Sequence, residues 1–176
     1  VAIEDARFWE HSGVDFEGIA RAARTNLEVG GIAQGGSTIT QQYVKNAFLS
    51  GEQTLERKAR EAQFAIELEQ RLTKDEILEL YLNKSFFGNR AYGVAAAAEY
   101  YYGKPLDQLT LGETATLVSA LKLPSSGNPI SNPERNHQRS VYVIQRMLED
   151  GYITPAEAAA GKAEVMHAKP HERPVE

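Results

Sequence analysis

The spacing of apolar residues along the chain predicts α-helices almost from end to end. In residues 15–29 apolar side chains recur every three or four positions, so Phe16 and Leu27 share one helical face, and Gly30-Gly31 ends that helix. The same reasoning predicts seven more helices, at about 38–49, 54–72, 73–83, an alanine-rich one ending at 103, 110–123, 134–150 and a short one from 154. No stretch of useful length alternates as a strand does, so we expect a mainly α fold.

Glycine and proline separate these helices with loops. Four glycines within residues 30–36 predict a mobile loop, a second loop follows at 84–90, and prolines prevent a helix within 124–133. Thr73 and Thr110 each stand three residues before a glutamate, which is the capping-box pattern that opens a helix.

Length and composition narrow the classes of function. A chain of 176 residues can bury one core, so we interpret residues 1–166 as one domain and the polar residues 167–176 as a tail or linker. The net charge of −5 argues against a surface for polyanions, and we expect no nucleic-acid partner. The absence of cysteine excludes disulfides and thiolate-bound metals.

The two ends of the sequence indicate that it is part of a longer chain. It begins at Val1 without an initiator methionine, and a charged motif follows almost at once. It stops in a polar segment that contains proline. No apolar stretch in between has the length that spans a bilayer.

Two charged residues of the helix predicted at 54–72 do not lie on its polar face. At 100° per residue, one apolar stripe holds Leu55 and Ile66. Arg57 and Glu61 share the opposite stripe with Leu68. Two interpretations fit this placement. The pair forms a half-buried salt bridge, or it lines a cleft in which a partly desolvated carboxylate does proton chemistry.

The preceding helix, predicted at 38–49, carries an uncharged polar side that ends in a lysine. Thr38, Gln41 and Lys45 lie on this side, with Gln42 beside them. A solvated face is the ordinary explanation. The alternative is an anion site, because a helix N-terminus presents free N–H groups and lysine adds a point charge.

Several catalytic motifs are missing from the sequence. It contains no HExxH, GxSxG, Walker or GxGxxG pattern, so we predict no metal site and disfavour a serine nucleophile or a nucleotide site. The ionisable cluster at residues 4–11 is weak evidence by itself, and a lone His11 is more often structural than a ligand.

Four motifs stand in a characteristic order along the chain. They are EDARFWEHSG at 4–13, GGSTITQQ at 35–42, RKARE at 57–61 and ILELYLN at 77–83. In this order they resemble the peptidoglycan glycosyltransferases of glycosyltransferase family 51. That family comprises the transglycosylase domain of class A penicillin-binding proteins and the monofunctional transglycosylases. The likeness covers about residues 2–155, and its specificity comes from the four motifs together.

The resemblance implies a fold and a reaction. The fold is a lysozyme-like helical domain with flexible loops and a membrane-facing part, here truncated at its N-terminus. The reaction is polymerisation of lipid II, in which the 4-hydroxyl of GlcNAc attacks the anomeric carbon of MurNAc with inversion and undecaprenyl pyrophosphate leaves. A weakly nucleophilic hydroxyl needs a base, and departing pyrophosphate needs cations.

The resemblance also assigns roles to residues. Glu4 matches the general base, and Glu61 matches the second essential glutamate, near the pyrophosphate. Arg57 and Lys45 match the pyrophosphate-binding cations, with Lys58 in support. The remaining matches are substrate-binding residues: Ser37, Thr38 and Gln42 for donor phosphate and sugar, and Arg139 for a further donor contact.

Cofactors, partners and location follow from the same resemblance. No cofactor is required, although Mg²⁺ or Mn²⁺ at the pyrophosphate is compatible with it. The expected partners are lipid II, the growing lipid-linked glycan strand and the membrane surface, and the resemblance leaves open whether a C-terminal transpeptidase domain is present in the parent protein. The expected location is the extracytoplasmic face of the bacterial cell membrane.

One departure and two alternatives stand beside this interpretation. Gln53 occupies a position where family members often carry arginine, which removes one cation. The first alternative is a lysozyme-like hydrolase or lytic transglycosylase, and the second is an inactive helical scaffold of the cell-wall machinery. The three cations favour a pyrophosphate over a neutral glycan, and retention of both glutamates argues against a scaffold.

Overall fold

Eight α-helices account for most of the computed structural model, which describes residues 1–31, 35–51 and 54–171. No strand forms within these residues, and the predicted mainly α fold is confirmed. The helices are α1 (Phe16–Val29), α2 (Ile39–Phe48), α3 (Leu55–Arg71), α4 (Lys74–Lys84), α5 (Val94–Tyr102), α6 (Leu111–Ala120), α7 (Pro133–Glu149) and α8 (Pro155–Ala163). A short 3-10 helix, Leu106–Gln108, precedes α6.

The helix ends follow the local rules that the sequence obeys. Capping boxes open α2, α6 and α8. In each, the side chain of a threonine accepts a hydrogen bond from the backbone N–H of the third helical residue, whose own side chain accepts one from the backbone N–H of the threonine. Gly30 and Gly103 end α1 and α5 with φ of 70° and 62°, a left-handed conformation that suits glycine. The glycine loop at 30–36 lies partly, and Gln53 wholly, outside the described residues.

The chain divides into two compact units. The first holds Val1 and Ile3–Lys84, and it contains α1 to α4. Within it α2 packs against both α3 and α4. Gly13 permits a close approach to α3, because a Cβ there would lie 2.7 Å from the carbonyl carbon of Ala65. The segment that carries residues 4–13 is therefore packed tightly against a helix of the same unit.

The second unit holds Ala2 and the described residues from Ser85 onward. Its core is a cluster of aromatic, alanine and leucine side chains, among them Phe87, Tyr101 and Leu117. The hydroxyl of Tyr101 donates to the carbonyl of Phe87, and that of Tyr102 is hydrogen bonded to Thr116. These bonds satisfy the polar ends of rings that are otherwise buried.

The start of the predicted tail pairs with α5 of this second unit. The backbone N–H of Lys169 donates to the carbonyl of Tyr101 at 3.1 Å, and that of His171 donates to the carbonyl of Tyr100 at 2.9 Å. Residues 172–176 lie outside the described part of the chain. The boundary at residue 166 stays a prediction.

The apolar face predicted for α1 is not its buried face. Gly18 and Ala22 are buried, whereas Phe16 is 75% and Leu27 84% exposed. The small residues allow close packing, and the large apolar side chains of the opposite side remain in solvent. Periodicity located the helix correctly, and the structure shows that its apolar face is not the face that packs inward.

In α3 only one of the two predicted apolar stripes is buried. Leu55 is 90% and Ile66 37% exposed, so their stripe faces solvent. The other stripe holds Glu61 and Ala65, which are 2% and 0% exposed. The unit therefore buries the charged stripe of this helix, which brings Glu61 inside.

Candidate active site

Three segments of the first unit form one pocket. The end of the glycine-rich stretch, α2 and the first two turns of α3 enclose about 330 Å³. The lining residues are mostly polar or cationic, and they are Ser37, Gln42, Lys45, Thr54, Leu55, Arg57, Lys58 and Glu61. The capping threonine at position 54 fixes the start of α3, since its side chain accepts from the N–H of Arg57.

Glu61 is the buried carboxylate of this pocket. Its side chain is 2% exposed, and Lys58 donates to its Oε1 at 2.5 Å. The same ammonium donates to Ser37 Oγ at 2.7 Å, which ties α3 to the segment before α2. A buried carboxylate is stable only with such a partner, and here the partner is the lysine one turn away. The salt bridge considered between Arg57 and Glu61 is not the one that forms.

Arg57 lines the pocket and has a donor that no described residue satisfies. One guanidinium nitrogen, Nη1, donates to the carbonyl of Gly51 at 3.3 Å. Its Nε is buried and has no hydrogen-bond acceptor among the described residues. A buried donor without an acceptor is costly, so this geometry suits a ligand that brings anionic oxygen atoms.

Glu4 is joined to the pocket through Gln42. The hydroxyl of Tyr81 donates to Gln42 Oε1 at 3.2 Å, which directs the amide NH₂ toward Glu4. Gln42 Nε2 lies 3.5 Å from Glu4 Oε2, a long hydrogen bond. Glu4 itself is partly exposed and lies at the start of the chain's first motif. One amide thus contacts the carboxylate and lines the neighbouring pocket.

Asp5 attaches the segment of Glu4 to the start of α2. Its Oδ2 accepts from the backbone N–H of Ile39 at 2.9 Å and lies 2.8 Å from His11 Nε2. The first turn of a helix favours a carboxylate because its N–H groups are unpaired and its dipole is positive there. The anion at the N-terminus of α2 is therefore a side chain of the protein itself.

The pocket offers no ligand set for a metal ion. No group of three or more histidine, aspartate or glutamate side chains is arranged to hold a metal among the described residues. The pocket wall carries cations, and its buried carboxylate is already paired with Lys58. These residues do not fit a resident divalent ion, and the Mg²⁺ or Mn²⁺ that the resemblance allows stays untested.

Comparison with known proteins identifies the family of this chain. The transglycosylase family model matches residues 1–148. The chain belongs to the transglycosylase family. This confirms the resemblance drawn from the four motifs, and with it the enzyme class, a glycosyltransferase.

Several relatives of this transglycosylase are much longer proteins. Penicillin-binding protein 1A of Escherichia coli is 52% identical over 97% of the chain, which spans 20% of that relative. Penicillin-binding protein 1A of Aquifex aeolicus is 53% identical over 88% of the chain and 21% of its own length. The crystal structure of penicillin-binding protein 1A from Haemophilus influenzae matches 74% of the chain and 17% of its own, with a TM-score of 0.55 and 39% identity. The chain thus spans about a fifth of the length of these relatives.

Most of the residues predicted for the transglycosylase site come together. Six of them line the pocket: Ser37, Gln42, Lys45, Arg57, Lys58 and Glu61. Glu4 joins them through Gln42. Sequence reasoning missed Tyr81, which orients that amide, although Tyr81 stands in the fourth motif. It also missed Thr54 and Leu55, which line the pocket. The sequence indicated only that these residues lie at the start of α3.

Two predicted substrate-binding residues lie elsewhere in the transglycosylase. Thr38 is 1% exposed, and its hydroxyl accepts from the N–H of Gln41 and donates to the carbonyl of Gly13. It caps α2 and fastens the first motif, so the geometry gives no support to its predicted substrate contact. Arg139 belongs to the second unit, where it lines a pocket of about 310 Å³ with Lys122 and Arg135. Its donor contact stays a prediction.

The polar side predicted for α2 also needs correction. Gln41 is 2% exposed, and its side-chain Oε1 accepts the capping-box hydrogen bond from the backbone N–H of Thr38. Gln42 and Lys45 are the α2 residues that line the pocket. A helical wheel shows which residues share a side, but it does not show that the capping pair is turned inward.

Proposed function

We propose that this transglycosylase domain polymerises lipid II into glycan strands. The 4-hydroxyl oxygen of the acceptor GlcNAc forms a bond to the anomeric carbon of the donor MurNAc with inversion. The bond from that carbon to the phosphate oxygen breaks, undecaprenyl pyrophosphate leaves, and Glu4 takes the hydroxyl proton. A positioned general base of this kind contributes about 10²- to 10⁴-fold to a rate.

The observation that carries the proposal is the cation-rich wall of the pocket. Lys45, Arg57 and Lys58 line one cavity, and the Arg57 Nε there is buried without an acceptor among the described residues. Pyrophosphate oxygens supply the negative charge and the acceptors that this wall lacks. A neutral glycan offers acceptors but no negative charge, so the cationic wall of the pocket favours transfer from a lipid pyrophosphate over hydrolysis of finished strands.

Glu61 fits a role in keeping the cations in place. Its carboxylate holds Lys58, and Lys58 holds Ser37, so the pair shapes the wall. The pocket is lined by three cations and one buried carboxylate, and this excess of positive charge suits a polyanionic leaving group. We infer that Glu61 acts on the departing pyrophosphate through Lys58.

The partner that we propose besides lipid II is the membrane surface. In α1 the exposed residues Phe16, Ile19, Leu27 and Val29 present large apolar side chains to solvent. Phe48, at the end of α2, is 64% exposed, and Leu55 lines the pocket itself. Apolar surface of this kind lowers its free energy by entering the acyl boundary of a bilayer. The described residues contain no helix of the length and hydropathy that a membrane crossing requires.

The test compares two substrates. Full-length protein is incubated with lipid II and, separately, with purified glycan strands. We expect polymer and released undecaprenyl pyrophosphate from lipid II, and no soluble fragments from the strands. Soluble muropeptides from strands, without polymer from lipid II, would overturn the proposal in favour of a hydrolase.

A matched pair of variants tests the assigned wall. Glu61→Gln removes the charge that holds Lys58, whereas Glu56→Gln removes an exposed charge from the same helix, where it pairs with Arg60. We expect polymerisation to fall strongly in the first variant and to stay near the parent rate in the second. Binding of a phosphoglycolipid inhibitor of the moenomycin type, followed by calorimetry, reports whether the pocket persists.

A further inference from the structure

Three ionisable side chains are buried, and that of Lys74 is partly buried, next to the first motif and outside the proposed chemistry. The side chains of Asp5 and His11 are each 3% exposed, that of Glu69 is 6% and that of Lys74 is 21%. Charged groups this far from water are rare unless they are paired, and each removal leaves an uncompensated partner. Such a cluster needs a purpose beyond stability.

The hydrogen bonds fix the protonation pattern of His11. The backbone N–H of Gly13 donates to His11 Nδ1 at 3.1 Å, and a backbone N–H cannot accept. Nδ1 therefore carries no hydrogen, and the ring proton is on Nε2, which donates to Asp5 Oδ2 at 2.8 Å. Lys74 Nζ, 3.5 Å from Nδ1, is also only a donor and agrees with this tautomer. His11 thus links the carboxylate of Asp5 to the backbone of Gly13.

Lys74 connects the first motif to the rest of the unit. Its Nζ lies 2.8 Å from the carboxylate of Glu69 and 4.6 Å from the centre of the Phe8 ring, a cation–π distance. With His11, this one ammonium group contacts two residues of the segment that carries Glu4. Lys74 is the first residue of α4, so a helix end bears directly on that segment.

Glu69 extends the same network into α2. Its Oε1 accepts from the hydroxyl of Thr40 at 2.6 Å, in the first turn of the helix that presents Gln42. Asp5 reaches the same turn through the N–H of Ile39. The start of α2 is therefore held from two sides, by the residue next to Glu4 and by the partner of Lys74.

We propose that Lys74 and Glu69 are positioning residues for the base. They hold the first motif against the start of α2, so that Glu4 stays beside Gln42, whose side chain lines the pocket. The inference rests on the proposed role of Glu4. Neither residue touches substrate in this account, and neither exchanges a proton. A misplacement of the base by about 1 Å lowers a rate by up to roughly 10²-fold.

The test separates turnover from binding in full-length protein. Lys74→Met removes the ammonium group with little change of length, and Lys74→Arg restores the charge. We expect Lys74→Met to lower kcat on lipid II by about 10- to 100-fold. Affinity for the phosphoglycolipid inhibitor should change less than about twofold, because the pocket wall does not include Lys74. Lys74→Arg should recover most of the kcat.

A control variant distinguishes positioning from loss of stability. Ile77 is fully buried in α4, one turn from Lys74, and Ile77→Val lowers stability by about 0.5–1.5 kcal/mol without touching the charges. We expect its kcat to equal the parent's. An equal fall of kcat in Ile77→Val, a matching loss of inhibitor affinity in Lys74→Met, or no recovery in Lys74→Arg would overturn the inference.

Glu69→Gln decides the matter if Lys74→Met does not fold. The amide keeps the shape of the side chain and its acceptor for Thr40, but it loses the charge that pairs with Lys74. Lower kcat with unchanged inhibitor affinity supports the inference, and full kcat overturns it. Glu4→Gln is measured beside it: parent-like turnover in Glu4→Gln refutes the base itself. Loss of turnover in Glu4→Gln with full kcat in Glu69→Gln refutes only the positioning role.

Discussion

Both units bury apolar side chains, but the first also buries several ionisable side chains and leaves more of its large apolar side chains in solvent. Tyr101 and Leu117 are 0% and 1% exposed in the core of the second unit. In the first unit Leu27 and Leu55 are 84% and 90% exposed, while the charged side chain of Glu61 is 2% exposed. The first unit thus adds buried charge to an apolar interior that includes Phe8, Ile39 and Ile77, each 0% exposed, whereas the second buries mainly apolar side chains.

This difference suits different roles for the two units: the second is mainly structural, and the first carries the pocket. Replacing a buried ion pair by apolar residues of similar volume is often neutral or stabilising, so stability does not explain the charges inside the first unit. They link the first motif, α2 and α3 around the pocket instead. The second unit has an apolar core with few charges among its buried described residues, which is the ordinary route to a stable fold.

The largest effect on stability is expected from the apolar core of the second unit. Leu117→Ala should lower the free energy of unfolding by about 2–5 kcal/mol, because it leaves a cavity among packed rings. Denaturant unfolding measures this loss, and inhibitor affinity at low temperature should remain that of the parent. A loss below about 1 kcal/mol would show that the core is less closed than its burial indicates.

The next effect concerns ligand affinity in the first unit. Arg57→Met should weaken binding of the phosphoglycolipid inhibitor by about 10- to 150-fold, as expected for the loss of a hydrogen-bonded charge of about 1.5–3 kcal/mol. Arg60→Met is the control, since Arg60 is exposed on the same helix and pairs with Glu56. Equal weakening in both variants would point to a general charge effect and not to the pocket.

A smaller effect distinguishes two helix caps. Thr38→Ala and Thr154→Ala each remove a capping hydroxyl and should each cost about 0.5–2 kcal/mol. Only Thr38 also donates to the carbonyl of Gly13 and so fastens the first motif. We expect lower lipid II turnover in Thr38→Ala and unchanged turnover in Thr154→Ala. The same turnover in both variants would contradict the link between α2 and the motif.

The smallest effect is an alkaline one in the second unit. Burial raises the pKa of Tyr102 to about 12, from the ordinary value of 10.0. Because the folded state favours the protonated ring, this contribution to stability is complete below pH 10 and is lost as the pH rises toward 12. Tyr102→Phe should therefore show a shallower loss of stability over this range in denaturant titrations. An unchanged slope would mean that the ring titrates as it does in the unfolded chain.

Local chemistry explains which features could be predicted from the sequence. Helices and their caps depend on neighbouring residues, so α3 begins after Thr54 and α5 ends at Gly103 as expected. The pocket residues were predicted through motif order, which reflects a shared fold. Burial depends on packing between segments distant in sequence, so periodicity showed which residues of α1 share a face but not that Gly18 and Ala22 are the buried ones.

The partners of the buried charges were beyond sequence reasoning. Residues 57 and 58 both lie within one turn of Glu61, and only the three-dimensional side-chain directions select Lys58 as its partner. Lys74 was visible only as part of a capping box. Its contacts with Phe8 and His11 span more than 60 positions of the chain and arise from the fold.

Glu4→Gln in full-length protein tests the central claim most directly, with lipid II turnover and inhibitor binding measured on the same sample. The account predicts that polymerisation falls by about 10²- to 10⁴-fold, since the acceptor hydroxyl loses its base. Inhibitor affinity should be retained, because the cations of the pocket are unchanged. Polymerisation at the parent rate with intact binding would contradict the assignment of Glu4 as the base.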